Sequence, residues 1–295
     1  MIDRNVKFVA IVGPTATGKT GLAIRLAQAF GGEIVCADSR TIYRGMDIGT
    51  AKPTAAERAL VPHHLLDLVD PGERLSSAEF KRLADAAINE IAGRGRLPIL
   101  VGGSGLYVDA VLFAYEFGAE ADPHRRAELD ILSDAQLLAM LAKVDAVAFA
   151  KVDLGNRRRL IRAIETVGDA PSRRAEMIPQ ALVLGITLNK EFVQKRIEQR
   201  IGKMLEEGFI DEIRTIGETY GWDSSALEVI GYRAFKDHVL GTKTLEQARA
   251  DFASGDMALY KKQVTWFKRN PGIRWTSDTP QAEGLVREFL ATELY

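Results

Sequence analysis

Three observations predict an α/β fold, a parallel-sheet core interrupted by an inserted helical domain. Short, nearly continuous apolar runs alternate with amphipathic helical patterns in the first part of the chain, the runs end in glycine or small polar residues, and residues 122–174 carry helical patterns without a convincing strand. Strand and helix alternation of this kind implies parallel strands joined by right-handed crossovers.

Val6 to Val12 reads as the first strand, apolar throughout as a strand covered on both faces must be. A helix follows from Lys19 to about Phe30, with Leu22, Leu26 and Phe30 on its buried stripe and Gly31-Gly32 as its stop. Glu33 to Ala37 is the second strand. A helical stripe of Phe80, Leu83, Ala84, Ala87, Ile88 and Ile91 spans about 77–91, and Leu97 to Val101 is the third strand. Ala181 to Leu188 rejoins the sheet, followed by helices over Lys190–Leu205 and Asp251–Arg269 and a late strand near Ile273–Trp275. The expected organisation is therefore a first core segment (1–121), a helical insertion (122–181) and a second core segment (182–295).

Gly13-Pro14-Thr15-Ala16-Thr17-Gly18-Lys19-Thr20 matches G-x-x-x-x-G-K-[ST], the P-loop pattern, with the strand before it and the helix after it that the pattern requires. Its glycines let backbone N–H groups wrap an anion, and the helix N-terminus adds partial positive charge. Lys19 is expected to reach the outer phosphate and the Thr20 hydroxyl to ligate Mg²⁺. The motif identifies a phosphorylated ligand, leaving ATP, another nucleotide or a plain diphosphate open.

Ligands of open α/β sheets bind beyond the carboxyl ends of strands, which directs attention to Asp38-Ser39-Arg40 and Gly103-Ser104-Gly105. Asp38 is expected to project a carboxylate into the cleft as general base or metal partner; the alternative is a cap on the next turn. Ser104 offers a hydroxyl at the same mouth. Cys36, the single cysteine, sits in an apolar strand and reads as core, excluding a disulfide scaffold. His63-His64 lacks further ligand-spaced Cys or His, which argues against zinc.

The 39 basic and 40 acidic side chains sum to −1, which on its face disfavours a nucleic-acid partner. Position reverses that inference. Six arginines (157, 158, 159, 162, 173 and 174) face two acids between Gly155 and Arg174, and Lys261, Lys262, Lys268, Arg269 and Arg274 face none between Ala258 and Arg274. Tyr260, Trp266 and Phe267 are interleaved with the second cluster and are candidates for stacking on splayed bases. The N-terminal run is too short for a secretory leader, and no stretch approaches the ~20 apolar residues of a membrane span. A cytoplasmic protein without a membrane partner is expected.

Together GPTATGKT, ADSRTIYRGMDIGTAKP (37–53), PHHLLDLVDP (62–71), SSAEF, LVGGSGLYVDAVL (100–112), ADPHRR (121–126), RRLIRAIE (158–165), KRIEQRI, VIGYR (229–233) and KKQVTWFKR (261–269) resemble the bacterial tRNA dimethylallyltransferase family, also called tRNA isopentenyltransferases. The resemblance implies transfer of a dimethylallyl group from dimethylallyl diphosphate to N6 of adenosine 37 in tRNAs reading codons that begin with U, with Mg²⁺. It turns Gly13 to Thr20 into a diphosphate site, adds Arg200 as its arginine, and gives Asp38, Ser104, Lys19 and Arg200 catalytic roles. Ser104 stands where most members have Thr. Contacts to the tRNA anticodon stem-loop are implied for Asp38, Ser39, Arg40, Thr41, Ser104, Arg126, Arg158, Arg159, Leu160, Ile161, Arg162, Gly231, Tyr232 and Arg233, with the insertion as a clamp on the stem and the protein a monomer. Asp153-Leu154-Gly155-Asn156 departs from the family's usual H-P-N-D. A small-molecule P-loop kinase and a nucleotide-dependent RNA-binding switch are the competing readings.

Overall fold

The computed structural model describes every residue except 119–121, 154, 170, 187, 277 and 293–295. Ala121 of ADPHRR, Leu154 of the departure just noted and Thr187 of the strand expected over Ala181–Leu188 lie outside the described residues. The chain divides into two compact units, Met1–Leu112 with Met177–Tyr295, and Phe113–Glu176.

In the larger unit, β1 (Phe8–Val12) leads through the glycine loop into α1 (Lys19–Phe30), β2 (Gly32–Cys36), α2 (Ala55–Leu60), β3 (His63–His64), α3 (Ser77–Gly93), β4 (Leu97–Gly102) and α4 (Gly105–Leu112). The smaller unit holds α5 (Pro123–Asp130), α6 (Asp134–Val144), α7 (Ala146–Lys151) and α8 (Arg157–Glu165). The larger unit resumes with β5 (Ala181–Ile186), α9 (Lys190–Glu206), α10 (Phe209–Tyr220), a 3-10 turn at Ser225–Glu228, α11 (Ile230–Val239), α12 (Leu245–Phe267), β6 (Arg274–Thr276) and α13 (Thr279–Ala291).

The six strands form one parallel sheet in the order β3-β2-β4-β1-β5-β6. β1 lies in its interior, Val9 opposite Ile99 on one side and Leu182 on the other, and all five of its residues are buried. That position explains its unbroken apolar run. One core cluster joins the sheet to α1 and α13 through Leu22, Leu26, Ile99 and Val286; a second, around Phe209, Tyr232, Phe235 and Phe252, unites α9 to α12.

The first strand starts at Phe8, later than the expected Val6, because Val6 N–H turns back to Asp3 O at 3.1 Å. The expected helix at 251–269 begins earlier, at Leu245, where Thr244 and Gln247 form a capping box. The ends of the helical unit also differ from 122–181. Glu116 and Ser172 pair in an antiparallel bridge that ties its two ends together, and residue 181 already belongs to the sheet. Within that unit Leu129, Leu137, Leu141, Leu160, Ile161 and Ile164 form a small core of their own.

Candidate active site

The loop after β1 is shaped by backbone conformation. Gly18 caps α1 in the left-handed region at φ 91°, a conformation that glycine adopts without steric cost. A Cβ on Gly13 would lie 2.4 Å from the Ile186 carbonyl oxygen, so this residue admits no side chain where the loop leaves the sheet beside β5. Thr17 Oγ1 donates to Pro14 O at 2.9 Å and Lys19 Nζ donates to the same oxygen at 2.6 Å, curling the loop over its own lysine. Burial lowers the Lys19 pKa to about 8; the Asp38 carboxylate opposes that shift and the Arg200 guanidinium adds to it. Thr20 is half-buried on the first turn of α1, facing the same cavity.

Two helices from the far end of the chain close over this loop. Arg200 of α9 donates from Nη1 to Thr15 Oγ1 at 3.1 Å, pairs through Nη2 with Asp256 of α12, and leaves its Nε buried without a partner. Burial pushes the Asp256 pKa up, while Arg200 pulls it back. One turn pair further along α12, Gln263 accepts from Thr15 N–H at 2.8 Å and donates to Gly103 O at 2.9 Å, bridging the glycine loop to the loop after β4. A Cβ on Gly103 would lie 2.5 Å from the Gln263 amide nitrogen, so a side chain there would push that bridging amide aside.

At the ends of β2 and β4 the expected polar groups meet. Ser104 Oγ accepts from Ser39 N–H at 2.9 Å and donates to Ser39 Oγ at 3.2 Å. Asp38 Oδ1 accepts from Arg40 N–H at 2.9 Å, so Asp38 does cap its own turn, and it also lines the cavity. Its place on the turn thus does not keep it from the cavity. Thr41 is buried, its hydroxyl donating to Asp38 O at 3.4 Å, and Arg40 is exposed. Burial, reinforced by the Asp38 carboxylate, pushes the Cys36 thiol up to about 12, which keeps it protonated and unreactive.

The cavity has a volume of about 280 Å³ and is lined by Thr15 to Thr20, Asp38, Arg40, Thr41, Gly49 to Ala51, Arg200, Gly231, Asp256 and Gln263. It brings together the phosphate loop, the candidate base and Arg200. Asp256 and Gln263 are functional candidates that sequence reasoning missed. Gln263 lay within KKQVTWFKR, where attention went to the basic and aromatic residues, and Asp256 lies five residues before that motif.

Of the three aromatic residues proposed to stack on bases, Tyr260 and Phe267 are buried and cannot do so, while Trp266 is half-buried. Phe267 is buried, Tyr260 is buried with its hydroxyl on Leu188 O at 3.1 Å, and Trp266 packs against Gly105 with its indole N–H on Asp109 at 2.9 Å. Tyr260 and Phe267 serve the fold, and Trp266 anchors α12 to α4 with part of its ring exposed. Tyr232 is likewise wholly buried, its hydroxyl donating to Glu212, whereas Gly231 lines the cavity and Arg233 is exposed.

Within the helical unit, Arg126 grips Glu165 through two 2.6 Å hydrogen bonds, Arg162 approaches the same carboxylate at 3.5 Å, and Arg159 lies 3.5 Å from Asp153. Arg157 donates to Asp134 and to three backbone carbonyls that end the α5 segment. Arg158 is exposed, and Leu160 and Ile161 are buried. The arginine cluster is thus part scaffold and part open charge. Among the described residues no group of three His, Cys, Asp or Glu side chains could hold a metal, and no helix is long and apolar enough to cross a membrane. His64 is instead paired with Glu33 at 2.7 Å.

A profile of the family described as IPP transferase matches residues 41–270. The chain is 45% identical to a tRNA dimethylallyltransferase of Roseiflexus sp. (strain RS-1), covering 97% of this chain and 99% of the relative, and 37% identical to that of Bacillus subtilis (strain 168), covering 93% and 92%. Among solved structures it is similar to the full-length tRNA isopentenylpyrophosphate transferase of Bacillus halodurans, at TM-score 0.73 and 38% identity over 97% of this chain and 95% of that one. It is also similar to a eukaryotic dimethylallyltransferase acting on tRNA, at TM-score 0.81 and 26% identity over 96% and 77%. A family match over residues 41–270 and near-complete coverage at these identities mean that the chain belongs to the IPP transferase family.

Proposed function

We propose that the protein transfers a dimethylallyl group from dimethylallyl diphosphate to the exocyclic N6 of adenosine 37 in tRNAs that read codons beginning with U. The observation that carries this reading is one cavity lined by an anion-binding loop, Lys19 and Arg200 on one side and the Asp38 carboxylate on another. The donor's C1–O bond breaks with its electron pair leaving on diphosphate, where backbone N–H groups, Lys19 and Arg200 stabilise the developing charge. The N6 lone pair forms the new bond to C1, and the proton lost from N6 passes to Asp38. Delocalisation into the purine makes N6 a poor nucleophile, which is why a base at this position matters. Ser104 fixes the turn that carries Asp38 by accepting the Ser39 N–H.

Mg²⁺ fits the donor set of the cavity: the Thr20 hydroxyl together with diphosphate oxygens suits a hard cation that takes few protein ligands beside a phosphate substrate. Bound there, it would neutralise charge on the leaving diphosphate. The anticodon stem-loop, with adenosine 37 flipped out of its stack, is the RNA element proposed to meet the exposed Arg40, Arg158, Arg159 and Arg233, whereas buried Leu160, Ile161 and Tyr232 and the Glu165-bound Arg126 serve the scaffold. A cytoplasmic monomer completes the reading.

Incubating the protein with unmodified tRNA and labelled dimethylallyl diphosphate, without ATP, is expected to put label into the RNA. Absence of transfer to a verified U-reading tRNA overturns the proposal, and ATP-dependent phosphorylation of a metabolite would replace it with a kinase.

A further inference from the structure

One carboxylate outside the cavity organises part of its wall. Glu212 of α10 accepts three consecutive backbone N–H groups, those of Asp47 and Ile48 at 2.8 Å on Oε2 and that of Gly49 at 2.9 Å on Oε1. The Tyr232 hydroxyl donates to the same Oε1 at 2.5 Å. The segment so held is a tight turn, closed by Ala51 N–H to Ile48 O and Lys52 N–H to Asp47 O, both at 3.0 Å. Ala51 sits in the left-handed region at φ 53°, a conformation that a non-glycine residue keeps only where its surroundings enforce it. Buried Lys52 fixes the other face of the turn through Tyr43 O and the carboxylates of Asp47 and Asp67, at 2.5 to 2.6 Å. Gly49, Thr50 and Ala51 then line the cavity beside the phosphate loop.

We infer that Glu212, buttressed by Tyr232, is a positioning residue that holds the 47–51 turn as a wall of the diphosphate site. It acts through the turn and does not touch the donor. A carboxylate is needed because all four converging groups are donors: an amide in its place would turn an NH2 toward at least one of them. Gly49 packs so closely on the Phe209 and Tyr232 rings that the turn, once released from Glu212, has no room to shift inward and moves toward the cavity side. The inference rests on the proposed diphosphate site.

The test compares the parent protein with Glu212→Gln and the milder Tyr232→Phe. Affinity for inorganic diphosphate with Mg²⁺ is measured by calorimetry, tRNA affinity by filter binding, and exchange of the Asp47, Ile48 and Gly49 amides by mass spectrometry. The expected result is a diphosphate Kd raised about tenfold in Glu212→Gln, the scale of one charged hydrogen bond, and less in Tyr232→Phe. Faster exchange at the three amides accompanies it, and tRNA affinity stays within about twofold. An unchanged diphosphate Kd in folded variants, or a loss that only follows the unfolded fraction, overturns the inference. If the parent itself does not bind diphosphate, the reading of the cavity fails, and this inference with it.

Discussion

At Asp38 one carboxylate oxygen accepts the Arg40 N–H, so replacing the residue by alanine would remove a turn and a base together. Asp38→Asn separates the two. The amide oxygen keeps accepting the Arg40 N–H while the proton acceptor is lost, so single-turnover label transfer is expected to fall by about 10²-fold or more with tRNA affinity retained. Unchanged turnover would remove Asp38 from the role of base. Lys19 supplies a second prediction. With its pKa lowered to about 8, its ammonium is present below that pH and lost above it, so diphosphate affinity should weaken as pH rises from 7 to 9. Bound anion favours the charged lysine, and binding near pH 8.5 should take up protons, seen by calorimetry in buffers of different ionisation heat. Lys19→Arg, charged throughout, should lose that uptake; an identical pH profile in parent and variant would show that Lys19 does not titrate there.

Helix α8 separates scaffold from contact. Arg126 is held in two hydrogen bonds by Glu165, whose side chain is 3% exposed, so Arg126→Ala strands a buried carboxylate that keeps only Arg162 as a basic neighbour among the described residues. A loss of roughly 2–3 kcal/mol in urea unfolding is expected, somewhat below the usual cost of breaking a buried pair because Arg162 remains. Arg158→Ala should leave unfolding unchanged and reduce the slope of log K against log salt for tRNA by about 0.7 to 0.9, one phosphate contact. A slope equal to the parent's would take Arg158 off the RNA surface. The same contrast shows what the sequence could reveal. The eight-residue phosphate loop and the ends of β2 and β4 were readable because glycine conformation, helix dipole and strand-end geometry are local. The α10 and α11 helices and the two-residue strand β3 were not, because their stability comes from long-range packing of Phe209, Tyr232 and Phe235 and from pairing with Ile34 and Val35. Tyr260 and Phe267 misled for the same reason: aromatic residues among basic ones look alike whether they face base rings or a helix neighbour. Gln263 is an uncharged residue whose role exists only because two loops distant in sequence meet it.

Across the whole molecule, a formal charge of −1 conceals basic side chains gathered on a few elements and acids spent on internal contacts such as Glu165, Glu212 and Asp256. RNA affinity in such a protein depends on matching those local charges rather than on a general attraction to polyanions. The place of β1 in the sheet has a separate consequence, for synthesis. It leaves the ribosome before either of its ladder partners, which begin at residues 97 and 181. At translation rates of about 5–20 residues per second, the β5 side stays open for roughly 9 to 35 seconds. FVAIV, wholly apolar and destined for the interior, spends that interval as an unpaired edge on a nascent chain. Growing chains of this enzyme therefore expose an apolar segment until strand β5, made after the entire helical unit, covers its second edge.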